Sequence, residues 1–474
     1  MCAFSRILLH CLARMKVFRK TSQSASTSTE REALSTDEIQ IDGEFWSPAS
    51  SNGWSAPGTI TCRSWELPVL NLEAAIVEPK SVSVRESEGV TVFSEPDPDD
   101  VVHDFQPITI LGRTADGKDL TLFGAQAHGP QMYRAKHLLV GGHFPGEDTL
   151  FADVRYQLDN DVLWSNINLP SSASSDIGTL SRENDAGQPW FVFRPQTTMS
   201  LRDLGRRALV SSRTLARLAL QPELTLGPAQ VRLENGTDWL PWHTLATATR
   251  RITTRYIGDW LVDPRAISLQ QIVDWLDISA KLDGLDTAVA DAKLQDNLAL
   301  QALVFGTIAE GLHRRLYDDE LRFVSLTRGQ AKAARRAGRE AISEAVNDAG
   351  LTTRPEDFND LLSPLNDITF VQRLSAIMAV ISEAVPEVLQ DFEDWATLVK
   401  DVRNYLAHWL TEEDKRPPTT NEMLLVYLSL PWALRTFLLR KVARLDVALM
   451  REGYRKKNEF LMYRANVRAT IAAG

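Results

Sequence analysis

The sequence predicts a multidomain chain, with a β-rich N-terminal region followed by an all-helical bundle, and three observations carry that reading. Its 474 residues exceed what one hydrophobic core usually serves. Short runs of β-branched and aromatic residues, set between Gly, Pro, Asp and Ser clusters, fill the front. After about Asp283, apolar residues instead recur at three- and four-residue intervals, the period of a helix with one buried face.

Taken in order, residues 1–36 read as a disordered leader or an upstream extension of a chain that begins at Met15. Ile7–Ala13 is a short apolar stretch, but His10 interrupts it, four basic residues follow, and Thr21–Thr29 is Ser/Thr-rich where a signal peptide would have a cleavage site. From Ile39 to about Trp164 strands are expected around Thr59–Thr61, Val82–Val84, Val90–Phe93, Ile108–Leu111 and Leu120–Phe123. Ala115-Asp-Gly-Lys118 marks a hairpin, because Asp-Gly supplies the positive φ of a tight turn. Glu95–Asp100, with two prolines, reads as an exposed loop.

Residues 165–265 continue this region, with strands at Phe191–Phe193, Val231–Leu233 and Arg251–Ile257 and a helix over Leu201–Leu220. Leu269–Leu282 reads as a helix leading onward, so the β-rich recognition region is expected over 37–285 and the helical domain over 286–474. In the latter, Leu294, Leu298, Leu303, Phe305, Ile308, Leu312 and Leu316 form one apolar stripe. Further helices are expected at about 329–349, 365–384, 387–410 and 421–452. Gly350 and Gly453 are placed as C-caps, Pro386 in a first turn, and Pro431 as a kink.

The net charge of −10 argues against bulk coating of nucleic acid and confines any RNA site to a local patch. Residues 1–288 hold 27 basic and 36 acidic side chains, and residues 289–474 hold 25 and 26. The acidity therefore belongs to the front. Basic runs occur at Lys332, Arg335, Arg336 and Arg339, and at Arg451, Arg455, Lys456 and Lys457; solvated helix faces account for most such runs. Three cysteines give no disulfide framework or zinc-ligand spacing, so no metal or other cofactor is expected, and a reducing cytoplasm fits. No apolar run is read as a membrane span. Nine of the twelve tryptophans lie in the front, where they serve either as aromatic core or as a stacking site for a base or glycan.

The segment Asp401-Val-Arg-Asn-Tyr-Leu-Ala-His408 sets Arg403 and His408 with four residues between them, late in the bundle, with Asn404 next to the arginine. It resembles the Arg-x4-6-His signature of HEPN domains, including the polar residue that follows the arginine. Leu398–Val402 and Glu310-Gly-Leu-His-Arg-Arg-Leu316 resemble the ApeA-type branch. In the front, Gly43-Glu-Phe-Trp46, Pro57–Ile60, Gly112–Gly117 and Thr121-Leu122 resemble the ApeA N-terminal domain. The resemblance implies a metal-independent endoribonuclease of abortive antiphage defence. Its expected partners are an RNA substrate, transfer RNA among the candidates, a phage-derived trigger at the N-terminal region, and a second copy of the chain through the helical domain, with no membrane.

The chemistry of the residues agrees. Cutting RNA without a metal needs a group that moves the 2′-hydroxyl proton and a fixed cation that offsets charge building on phosphate. His408 suits the first task as general acid/base, and Arg403 the second as a phosphate clamp. Asn404 lies four positions before His408 on the same helix face, where it can orient either the imidazole or the phosphate. Residues five apart on a helix point about 140° apart, so Arg403 and His408 do not converge by themselves. The family's dimers, in which two Arg/His pairs line one cleft, are the expected resolution. His408 also has a plainer reading as a packed helix-end histidine. Glu310 and His313 are either supporting groups of the site or a surface pair at i, i+3. The alternative function is a non-catalytic RNA- or protein-binding HEPN module with a ligand-sensing front.

Overall fold

The computed structural model describes residues 38–48, 53–77, 84–87, 90–93, 107–129, 131–158, 172–220, 224–249, 260–264, 267–291, 297–317, 321–362, 365–408 and 416–473. The leader, the Glu95–Asp100 loop and the expected strand at Arg251–Ile257 lie outside them. The chain divides into a β-rich unit (1–161, 178–205, 225–255) and a helical unit (162–177, 206–224, 256–474).

In the β-rich unit, β1 (Glu38–Trp46), β2 (Ser55–Arg63) and β3 (Val69–Leu72) form a meander that runs on to β4 (Ile108–Thr114), β5 (Asp119–Ala127) and β6 (Met132–Arg134). Neighbours pair antiparallel in the cycle β1-β2-β3-β6-β5-β4-β1, which closes a six-stranded barrel. Closure removes free sheet edges, and alternate residues fill the interior. Phe45, Ile60, Leu70, Ile110, Leu120, Leu122 and Leu138 are fully buried there. Gly112 stands opposite Phe45 in the β1–β4 register, and a Cβ at that position would run into the phenyl ring. The β4–β5 hairpin turns where Asp116-Gly117 was expected to turn it, with φ +84° at Gly117.

From β5 the sheet continues through β7 (His137–Val140), β12 (Leu240–Thr244), β11 (Leu226–Arg232), β8 (Asp153–Leu158), β10 (Gln188–Pro195) and β9 (Gly178–Asp185), these labels following chain order. One face carries Val154, Tyr156, Phe191, Phe193 and Val231, all buried. On the other, Arg155 lies between Trp190 (4.5 Å) and Trp239 (4.6 Å), and Arg232 covers Trp239 at 4.8 Å. These two indoles are thus engaged by arginines of their own sheet, while Trp242 is core.

The helical unit begins earlier than residue 286. Its first helices are α1 (Ser211–Ala219) and α2 (Leu269–Leu282), and Trp275 of α2 is fully buried with its indole N–H donating to the Ser211 carbonyl at 3.0 Å. Ser211 Oγ also donates to Ser279 at 2.9 Å. The helix read over Leu201–Leu220 therefore contributes its second half to the helical core and not to the strands. There follow α3 (Leu285–Ala290), α4 (Leu298–Leu316), α5 (Arg328–Asp348), α6 (Phe370–Ala384), α7 (Trp395–His408), α8 (Thr420–Phe437), α9 (Val447–Lys456) and α10 (Asn458–Ala472).

Local capping chemistry shifts several expected ends. α6 starts five residues later than read, because Thr369 and Gln372 form a reciprocal capping box. α7 starts at Trp395 and not at 387: Pro386 opens a single tight turn, and Asp394 caps the helix by accepting from Thr397 N at 3.0 Å. The expected helix 421–452 is two helices, since Arg444 takes a left-handed φ of +52° and Asp446 caps a new start. Gly350 ends α5 with φ +89° as expected. Gly453 is not a C-cap. It lies within α9, where a Cβ would overlap the Leu261 carbonyl. Thr420–Val442, which includes the π turn after α8, is long and apolar enough to cross a membrane by length and composition, contrary to expectation. Leu430, Leu434 and Phe437 are nevertheless fully buried in this unit, so it packs as a core helix.

Candidate active site

Arg403 sits on α7, whose Trp395, Val399 and Val402 are buried at helical spacing. This leaves Arg403 on the flank that meets α4. There Gly306 admits the arginine stem: a Cβ on Gly306 would come within 3.1 Å of Arg403 Cγ. One turn further along α4, Glu310 Oε2 accepts from Arg403 Nη2 at 3.1 Å. Asn404 Oδ1 accepts from Nη1 at 3.3 Å, and the Phe370 ring of α6 lies 5.1 Å from the guanidinium carbon. Three helices thus fix one side chain, of which 25% stays exposed.

Glu310 is shared. Its Oε1 accepts from Arg314 Nη2 at 2.8 Å, one turn on along α4. Each arginine keeps N–H groups that Glu310 does not use, so the cluster has spare donors for an anion.

His313 lies beneath. It is fully buried, stacks on Tyr317 at 4.5 Å, and has Arg373 Nη1 3.2 Å from its Nδ1. Burial, helped by the charges of Arg373, Arg314 and Lys441, pushes its pKa down to about 4. The imidazole is therefore neutral at pH 7 and accepts from Arg373 through Nδ1. Burial also depresses the pKa of Arg373.

Among the sequence-predicted residues, Glu310, Arg403 and Asn404 come together. His313 is neither a surface residue nor a partner of Arg403; its ring lies against Tyr317 and accepts from Arg373. His408 is the last residue of α7; its side chain lies outside the described residues. Sequence reasoning missed Gly306, Phe370, Arg314 and Arg373. The spacing of Gly306 and Glu310 on α4 was the available signal for the first, whereas Phe370 and Arg373 stand in no motif. Among the described residues no cluster of three or more His, Cys, Asp or Glu could hold a metal ion.

A helical bundle that fixes an Arg-Asn pair on the helix ending in His408 has the layout of a HEPN domain. The family model described as Apea-like HEPN matches residues 303–444, from within α4 to just past the π turn after α8, so this stretch of the helical unit is similar to Apea-like HEPN domains. HEPN domains are generally ribonucleases that bind RNA and dimerise. No curated protein and no solved structure matches the chain.

Proposed function

We propose that the helical unit is an endoribonuclease that cuts RNA by 2′-hydroxyl attack without a metal, with His408 as general acid/base, Arg403 as phosphate clamp and Asn404 as orienting group. The observation that carries this reading is the seating of Arg403. Glu310, Asn404, Gly306 and Phe370 hold its guanidinium in one place while part of it faces solvent. A clamp prepositioned in this way is worth most when charge develops on a phosphate. A second copy of the domain brings a second Arg/His pair to the same cleft, which answers the divergence of positions 403 and 408 around the helix.

The β-rich unit, with its acidic balance, is the part that senses a phage-derived trigger and restrains the nuclease, since net negative charge disfavours RNA phosphates. The setting is cytoplasmic antiphage defence. One observation favours the competing reading of a non-catalytic binding module, namely the pairing of Arg403 with a carboxylate. Incubation of total RNA with the wild-type chain and with His408→Ala decides between them: a catalytic domain gives new RNA ends only with the former, and a binding module gives none with either.

A further inference from the structure

The basic run on α5 differs from the one near the C-terminus. In the latter, Arg451 donates to the carbonyls of Glu383 and Ala384, Lys456 pairs with Glu452, and Lys457 is buried against Glu459. Those charges hold α9 and α10 in place.

On α5 the five cations Arg328, Lys332, Arg335, Arg336 and Arg339 stand at i, i+4, i+7, i+8 and i+11, which places them within an arc of about 100° over a length of ~16 Å. No acidic residue falls between 328 and 339; Glu340, Glu344 and Asp348 follow in the second half of the helix. Arg328, Lys332 and Arg336 are exposed, the last at 77%, and Arg336 has Glu340 at 2.9 Å. Arg339 donates to the neutral Asn359.

The helix is folded and anchored. Thr327 and Gln330 form a capping box at its start. Its return, Pro355–Phe358 and Asn359–Leu362, packs on it, with Leu362 against Gly338, and Thr353 bonds Ser343 and Asn347. At the base, Asn366 ties the two strands of the excursion by accepting from the backbone N–H groups of Arg322 and Phe323, each at 2.9 Å. The excursion is inserted between the end of α4, which carries Glu310, His313, Arg314 and Tyr317, and the start of α6, which carries Phe370 and Arg373. Its root is therefore built from the helices that seat Arg403. Only Ala331 and Ser343 of α5 are buried, so its cationic face does not serve the bundle core.

We propose that this face of α5 is an RNA-backbone docking surface that delivers substrate phosphates to the Arg403 site. The inference rests on the reading of the helical unit as an RNA-cutting domain. A cationic stripe of this length spans several phosphates of one strand, and its recognition is independent of sequence.

The test uses the full chain carrying His408→Ala, so that bound RNA is not consumed, and a fluorescently labelled single-stranded RNA of mixed sequence titrated between about 50 and 200 mM salt. Combining Arg328→Gln, Lys332→Gln and Arg336→Gln is expected to weaken binding about tenfold or more and to reduce the salt slope by about 2, at ~0.7 per phosphate contact. Arg328→Lys with Arg336→Lys, which keeps the charge, should retain affinity. In the cleaving chain the triple variant should raise KM and leave kcat at saturating RNA unchanged. Unchanged affinity and salt slope overturn the proposal, including the case in which the face instead holds an acidic protein. If RNA binds through α5 but the wild-type chain never cleaves it, docking stands and the nuclease reading fails. Cleavage with the same KM in the triple variant defeats docking alone.

Discussion

Glu310 Oε2 lies 3.1 Å from Nη2 of Arg403, which stands ninety-three positions later in the chain, and this contact sets the guanidinium of the candidate site. Both side chains are about three-quarters buried, so the cost of desolvating the two charges offsets most of their attraction and the pair adds little net stability. Its role is positional. Glu310→Gln is expected to lower cleavage about tenfold while shifting the melting temperature by only a degree or two. A large loss of stability with unchanged specific activity of the folded fraction would mark the pair as structural.

Gly306 gives a second handle on the same residue. Gly306→Val would push its side chain into the stem of Arg403 and displace the clamp without touching RNA. Cleavage should fall with little change in RNA affinity. Equal activity would show that the seat of Arg403 is irrelevant to turnover.

Gly453→Ala tests the packing of α9. The added methyl overlaps the carbonyl of Leu261, and backbone cannot rotate away as a side chain can. Destabilisation of roughly 2–3 kcal/mol is expected in the helical unit, measured by chemical denaturation. A neutral result would contradict the close approach.

The pH dependence of stability follows from buried histidines. His313 in the helical unit and His137 and His243 in the β-rich unit are each pushed down to about 4, chiefly by burial. Below the unfolded value of about 6.5 the unfolded chain binds protons that these native imidazoles do not, so stability is full above that pH and is lost as pH falls toward 4. Each group costs about 1.4 kcal/mol per pH unit within that window. The melting temperature should drop between pH 7 and 5, and a constant or rising value would contradict the burial of these rings.

Much of this was legible in the sequence because the signals were local. The Asp116-Gly117 turn and the helix over Leu269–Leu282 were read from spacing and turn chemistry, and the Arg403-Asn404 pair from its resemblance to the HEPN signature. What escaped depended on tertiary neighbours. Gly453 looked like a cap because nothing local records Leu261, and α2 was assigned to the front because Trp275 finds its partner Ser211 far away in the chain. A consequence is that a fragment beginning near residue 285 lacks α2 and uncovers the core beneath it, so truncation there should yield an unstable helical unit. Far-UV circular dichroism and melting of that fragment check this, and a cooperative melt at the full-length temperature would contradict it.

The most direct test of the central claim is to incubate RNA with the wild-type chain in EDTA and map the cut ends, with Arg403→Ala and His408→Ala alongside. General acid/base cleavage by His408 predicts 2′,3′-cyclic phosphate and 5′-hydroxyl ends that persist in chelator, together with a loss of about 100-fold or more in each folded variant. Cleavage that disappears in EDTA and returns with Mg²⁺, or that survives in both variants, would contradict it.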